Sequence, residues 1–462
     1  MCEYINYFVE LLGKDSCFYD DETLDNYSFD QTENLKFLPT LVIKPDTTEH
    51  ISQILRYCNQ KKIPVTPRAG GTGQMGGALP VNGGVVLSIE KLNSIINIDT
   101  QNFQATVEAG VINYNLQQAL EPYGLFYAPD PSSWESSFIG GNIATNAGGL
   151  RAVKYGVTSA SVLNLEVVLP NGEIIWTGAN TLKNSTGYNL TQLFIGSEGT
   201  LGIVTKAVLK VLPKPKADIT LLIPFHSLED SAYAVADIFK DGLQPYSLEL
   251  MERNALEQAI AHLEDTPILL HDKVQAHLLI CFDGDSREEL MPCIEKTMKV
   301  VEKYPIEEIY FADNETDKTR LWQMRRKVAE IVKANGYTIE EDTVVPRAEL
   351  PKLIKFAHHL AEKNKVKVVC YGHAGDGNLH IRFNHPEHKN SYNNPPIQEM
   401  LTELFRYIHS LGGTISGEHG IGLIQQPFLS IVFSKANLEI QKSIKKALDP
   451  NNIMNPGKVT GN

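Results

Sequence analysis

No stretch of this chain is long and apolar enough to span a bilayer. Its longest apolar runs, residues 220–225 and 277–282, fall far short of the ~20 residues a spanning helix needs. Nor does it open with the apolar-centred leader of a secreted protein, so a cytoplasmic location, at most peripheral at an inner membrane, is expected. Cysteine is scarce: Cys2, Cys17, Cys58, Cys281, Cys293 and Cys370 stand far apart with no Cys-x-x-Cys pair. That spacing argues against an iron–sulfur cluster or a zinc finger and for reduced thiols. Positive charge is in deficit, with a net charge of −13 and no basic patch, which excludes nucleic acid as a partner. Repeats and low-complexity tracts are missing too, and 42% hydrophobic with 21% charged residues describes an ordinary globular protein. The 462 residues are about three times the ~150-residue mode for one domain, so two or three domains are expected.

What the chain has is glycine, 34 residues of it, unevenly distributed. Residues 4–12 read as a helix, 15–36 as polar and irregular, and 41–43 as a short strand. Ile51, Ile54, Leu55 and Cys58 recur at helical offsets behind the cap Thr47, which predicts a helix over 47–61. A glycine-dense loop, residues 68–77, lies between the strands 64–67 and 84–89. A second glycine-rich region covers 138–149, and a third, 195–202, runs into the strand 203–212. Asn171-Gly172 marks a hairpin between 164–169 and 173–176. After the charged, proline-containing linker 213–216, strands at 219–225, 247–251 and 277–282 alternate with helices at 228–240 and 287–304. This alternation predicts an α+β second domain of ferredoxin-like type. Strands at 366–371 and 379–383 and helices at 396–411 and 438–448 complete it.

Gly71, Gly73 and Gly76 satisfy G-x-G-x-x-G, but the segment continues into Gly77, Pro80 and a strand instead of a helix. An ordinary dinucleotide-binding turn is thereby excluded. Clustered glycines still let backbone N–H groups converge on an anion such as a pyrophosphate. Three such regions in the first 215 residues point to one large nucleotide cofactor; glycines serving only turns are the competing account, and the residues alone do not separate the two. In the second half, His373 and His380 flank a predicted hairpin, and Glu418-His419 adds a carboxylate and an imidazole. Two histidines and a glutamate suit a divalent metal with open positions, although loop histidines also cap turns. Arg325, Arg326 and Arg347 could clamp a carboxylate or merely line a solvated surface.

Taken together and in order, these segments carry a resemblance. Pro67-Arg68-Ala69-Gly70-Gly71-Thr72-Gly73, Pro129-Asp130-Pro131-Ser132-Ser133, Ile139-Gly140-Gly141-Asn142, Asn146-Ala147-Gly148-Gly149 and Tyr155-Gly156 are followed by Gly196-Ser197-Glu198-Gly199-Thr200-Leu201-Gly202. Residues 372–380, 417–422 and 449–458 complete the series. The chain resembles the FAD-dependent D-2-hydroxyacid dehydrogenases of the vanillyl-alcohol-oxidase-type flavoprotein superfamily, among them glycolate oxidase flavin subunits, D-lactate dehydrogenases and D-2-hydroxyglutarate dehydrogenase. The resemblance implies an α+β protein with an N-terminal helical extension (1–35) and an FAD-binding domain of two α+β subdomains (36–215). A substrate-capping domain with a C-terminal FAD-linked oxidase segment (216–462) follows.

By the same resemblance, FAD contacts fall on Arg68, Gly70, Gly71, Thr72, Gly73, Gln74, Pro129, Asp130, Ser133, Gly140, Asn142, Asn146, Gly149, Gly199, Ile203 and Asn455. Some relatives attach FAD through a histidine in the first loop; Gln74 after Gly73 implies non-covalent FAD. His373, His380 and Glu418 are the implied ligands of a divalent metal, zinc or manganese. His419 is the implied catalytic base, and Arg325, with Arg347, the carboxylate anchor. Arg382 stands where members related to the hydroxyglutarate enzyme carry an asparagine, and Glu340 and Ala329 replace that enzyme's lysine and threonine. The implied reaction is oxidation of a small D-2-hydroxyacid, D-lactate or glycolate, with hydride passing to the flavin and electrons to a quinone, a cytochrome, an electron-transfer flavoprotein or an iron–sulfur subunit. D-2-hydroxyglutarate oxidation, another flavin reaction of the superfamily and a non-catalytic flavin-binding subunit are the alternatives, and a homodimer is left open.

Overall fold

The computed structural model describes residues 3–262, 270–312, 314–384 and 394–460; Cys2 lies outside them. The chain divides into two compact units, one of residues 1–148, 156–214 and 418–462, the other of residues 149–155 and 215–417.

The first unit holds two principal sheets. In the four-stranded sheet the order is Cys17–Phe18, Leu41–Ile43, Val85–Ser88, Val65–Arg68. Leu41–Ile43 and Val65–Arg68 run parallel to the strand between them. Parallel strands need cover on both faces, and the side chains of Leu41, Val42 and Ile43 are fully buried. Helix Thr48–Lys61 starts as predicted, with Thr47 accepting from the His50 N–H, and buries Ile51, Ile54, Leu55 and Cys58 beside Ile5 and Phe8 of helix Glu3–Leu12. Each such aliphatic side chain contributes about 1.5–3 kcal/mol. Residues 15–36 are more ordered than their polarity predicts. Cys17–Phe18 pairs antiparallel with Leu41–Ile43, and Asp20 caps helix Asp21–Asn26. A two-residue strand is too short to show a period in sequence.

The five-stranded antiparallel sheet has the order Ile95–Asp99, Gln104–Glu108, Ile203–Lys210, Val162–Val168, Ile174–Trp176. Its hairpin turns at Gly172, where φ is 84°. The second glycine-rich region contains a helix, Ile139–Thr145. The reason is packing: a Cβ on Gly140 would lie 2.8 Å from Ala109 Cβ and 2.9 Å from Ala109 O, so glycine lets this helix press onto its neighbour. The C-terminal tail returns to the first sheet, where Val65 N donates to Ile453 O and Asn455 N to Val65 O, both at 2.8 Å.

The second unit is built on a seven-stranded sheet in the order Tyr310–Ala312, Ala217–Phe225, Ala276–Gly284, Ser247–Glu252, Lys367–Gly372, Asn378–Asn384, Ile339–Val344. Ala217–Phe225 and Ser247–Glu252 flank Ala276–Gly284 and are joined through helix Leu228–Lys240, a split βαβ arrangement of the kind predicted. Helix Glu315–Ala334 packs Leu321, Met324 and Val328 against Met251, Leu279, Val369 and Tyr371 on one face of the sheet.

Candidate functional site

In the first unit the glycine segments converge through contacts that only glycine permits. A Cβ on Gly70 would stand 2.7 Å from Ser136 O, so the first loop passes directly beside the segment that follows Ser133. A Cβ on Gly141 would meet Ala69 Cβ at 3.0 Å, and one on Gly199, whose φ is +68°, would meet the Pro67 ring at 3.0 Å. Segments 67–73, 129–137, 139–146 and 196–202 therefore share one neighbourhood, a glycine-rich cradle whose backbone N–H groups suit an anion such as a pyrophosphate.

Individual residues are fixed as follows. Arg68 folds back across Gly71, donates to Phe29 O at 2.7 Å and stands 5.1 Å from the Tyr27 ring centre. Burial lowers its pKa against the opposing influence of Asp30, Tyr27 and Glu90. Thr72, Gly73 and Gln74 are half-buried, and Gly73 O accepts from Gln31 N. Pro129 O accepts from Asn113 Nδ2 at 3.2 Å, Asp130, Asn142 and Ile203 are buried, and Ser133 O accepts from the N–H groups of Ser136 and Ser137. Asn146 ends its helix at φ 54° and accepts from Ser159 N through Oδ1. Asn455 Nδ2 donates to Gly77 O at 2.9 Å and to Glu198 O at 2.8 Å. Glu418 and His419 are half-exposed, and a Cβ on Gly148 would be 2.8 Å from Glu418 Oε2.

In the second unit Gly149 takes a φ of 128°. Here the hairpin predicted around His373 and His380 forms, with a 3₁₀ turn at Ala374–Asp376, and sets the two rings 5.5 Å apart at 80°. Behind them lies Glu249, fully buried on Ser247–Glu252. Both its oxygens stand 2.9 Å from His373 Nδ1, and Oε2 accepts from Arg325 Nε at 2.9 Å with Nη2 at 2.6 Å. Burial alone would raise the Glu249 pKa, but His373 and Arg325 outweigh it and hold the carboxyl below its ordinary range. Arg325 is thus buried and paired, against the solvated reading its helix position favours.

Beyond His380, Arg382 donates through Nε to the Tyr371 hydroxyl at 2.7 Å, through Nη1 to Tyr337 O at 3.1 Å, and through Nη2 to Glu340. Asp342 accepts from Asn378 Nδ2 at 2.6 Å and from Gly417 N at 2.9 Å, which anchors the chain immediately before Glu418. Arg347 is engaged elsewhere, its guanidinium 3.8 Å from the Phe239 ring centre. On the opposite face of the sheet, the Glu252 carboxylate accepts from Cys370 N at 2.7 Å and lies 3.2 Å from His358 Nε2.

Two residues central to these networks, Glu249 and Glu198, escaped the sequence reading. A glutamate between leucines in Ser247-Leu248-Glu249-Leu250 was the available signal, because a buried strand tolerates a carboxylate only with partners. Cys17, Cys58, Cys281, Cys293 and Cys370 are free cysteines, and no helix among the described residues is long and apolar enough to cross a membrane.

Known proteins sharpen this picture. Residues 39–178 match an FAD binding domain, and residues 214–459 match the C-terminal domain of FAD linked oxidases. Glycolate oxidase subunit GlcD of Bacillus subtilis is 40% identical over 94% of this chain and 91% of its own. D-lactate dehydrogenase of Anaerostipes hadrus is 37% identical over 99% of this chain and 97% of its own. D-2-hydroxyglutarate dehydrogenase of Stutzerimonas stutzeri is 30% identical over 95% of each. Among solved structures, p-cresol methylhydroxylase with substrate bound superposes with a TM-score of 0.80 at 20% identity, covering 98% of this chain and 95% of that one, which places the fold. The first unit therefore carries an FAD-binding domain with the fold of p-cresol methylhydroxylase, and the chain belongs to the FAD-linked oxidases.

Proposed function

We propose that this protein oxidises a small D-2-hydroxyacid, D-lactate or glycolate, to the 2-oxoacid and hands the electrons to a separate acceptor. The observation that carries the reading is the buried Arg325–Glu249–His373 array. It places a cation and an oriented imidazole on one face of one sheet, and relatives covering nearly the whole chain are named glycolate oxidase subunit and D-lactate dehydrogenase.

The glycine cradle fits FAD, held without a covalent bond at Gln74. The donor set fits a divalent metal of the zinc or manganese type. With Nδ1 of His373 turned to Glu249, Nε2 is the nitrogen that ring offers to a metal, the usual carboxylate–histidine–metal orientation. His380 and Glu418, one peptide bond beyond the anchored Gly417, complete the proposed ligands. When bound, the metal supplies a Lewis acid and FAD a two-electron acceptor. His419 takes the proton of the substrate hydroxyl. Glu249 occupies the Nε–Nη2 edge of Arg325, so the substrate carboxylate meets the guanidinium at Nη1. The acceptor is a quinone, cytochrome, electron-transfer flavoprotein or iron–sulfur subunit, reached in the cytoplasm or at the inner face of the membrane.

Anaerobic titration of the holoprotein with D-lactate, glycolate and D-2-hydroxyglutarate tests the reading. Loss of flavin absorbance with one of the first two is expected; no bleaching by any 2-hydroxyacid overturns it. His419→Ala is expected to retain FAD and to bleach only at a small residual rate.

A further inference from the structure

Glu198 sits in the third glycine segment, among residues assigned to the cofactor, yet its carboxylate turns onto the chain that follows His419. Oε1 accepts from Ile421 N at 2.7 Å and Oε2 from Gly422 N at 2.9 Å. A Cβ on Gly420 would lie 2.9 Å from Oε1, so the carboxylate also covers the residue next to His419. Gly420 and Gly422 both have positive φ, 85° and 50°, which shapes this short segment around a single acceptor group.

The backbone of Glu198 is tied to the other cofactor segments. It adopts φ 50°, and its N–H donates to Ala144 O in the second glycine region at 2.9 Å. Its carbonyl accepts from Asn455, which also reaches Gly77 O in the first. Lys458 donates to Asn455 Oδ1 at 2.7 Å and to Gly77 O at 3.3 Å. Leu423 N and Ile424 N both donate to Met75 O, which continues the stitching beyond Gly422. Glu198 thus ties its own segment to the second glycine region through its N–H and to the first through Asn455, while its carboxylate holds the segment carrying His419.

We infer that Glu198 is the positioning residue for His419, holding the imidazole in register with the flavin-binding loops through the N–H groups of Ile421 and Gly422. The inference rests on the proposed role of His419 and extends it. A carboxylate meets two N–H groups with two acceptor oxygens. An amide offers one oxygen and sets its NH₂ against the second N–H, and alanine leaves both N–H groups buried without an acceptor. Displacing a proton acceptor by about 1 Å costs roughly 100-fold in rate.

Two measurements on the FAD-loaded protein test this. In Glu198→Gln, flavin content and KM stay near those of the unmodified protein. Hydrogen exchange in the peptide spanning 418–424 accelerates about tenfold or more, and the rate constant for flavin bleaching falls about 100-fold. Because Glu198 acts through His419, adding Glu198→Gln to His419→Ala costs no further rate. Glu198→Asp, which restores a carboxylate, recovers part of the loss. Unchanged exchange in that peptide, or full additivity of the two substitutions, overturns the inference. If the unmodified protein is not bleached by any 2-hydroxyacid, the functional reading fails, and the exchange measurement alone decides whether Glu198 clamps the segment.

Discussion

Arg382 and Glu340 are each other's partners: the guanidinium and the carboxylate meet across adjacent strands and are both buried, with the Tyr371 hydroxyl accepting from Arg382 Nε. These are two of the positions at which the sequence departs from the hydroxyglutarate-type pattern, so the departures form one compensated pair. Burial disfavours the charged guanidinium, but Glu340 and Tyr371 outweigh it and raise the Arg382 pKa. Glu340 Oε1 lies 3.6 Å from His380 Nδ1, which links the pair to the histidine array.

Removing one member of that pair strands the other. Arg382→Leu or Glu340→Leu alone is expected to cost about 3–5 kcal/mol, and the double Leu variant much less than the sum. Denaturant unfolding of the four proteins in the cycle measures the coupling; additive losses would show that the contact carries no net interaction.

Glu249 serves two partners, so its replacement has two effects. Glu249→Ala leaves Arg325 as a buried, uncompensated cation, with an expected loss of about 3–5 kcal/mol. Glu249→Gln keeps the shape but weakens the orientation of His373; with His373 as one of the proposed metal ligands, metal affinity should fall about 10–100-fold. Metal titration of both variants at constant flavin loading checks the second effect separately from the first.

Gly148 has room for a hydrogen only. In Gly148→Ala the new methyl would sit 2.8 Å from Glu418 Oε2 and 3.2 Å from Glu418 Cβ, so the Glu418 side chain must move. With Glu418 as a metal ligand, metal per protein and turnover should fall together while flavin absorbance persists. Equal metal content in the variant would remove Glu418 from the ligand set.

His277 gives the second unit an acid limit. It is buried on strand Ala276–Gly284, and burial, aided by the charge of Arg253, lowers its pKa to about 4. The folded state therefore favours the neutral ring. Stability from this group is fully present above the ordinary histidine pKa near 6.5 and is lost as pH falls from there towards 4, by roughly 3 kcal/mol. His277→Leu should flatten that part of the profile, which denaturation midpoints at pH 7 and pH 4.5 would reveal.

The sequence by itself determined most of the elements and the family. Helix Leu228–Lys240 and the hairpin around His373 and His380 follow from periodicity and glycine placement, which are local properties. The ordered glycine motifs identified the flavin fold for a related reason: a backbone that must approach a cofactor or a neighbouring segment cannot carry a Cβ, and that demand is written residue by residue. Partnership was decided only by the tertiary structure. That Arg325 is buried on Glu249, that Arg382 and Glu340 neutralise each other, and that Glu198 turns from its own loop to Ile421 and Gly422 are long-range pairings. A buried charge is admissible only where the fold delivers a partner: 249 meets 325 because helix Glu315–Ala334 docks on the sheet, and 198 meets 421 because two loop segments far apart in sequence come together.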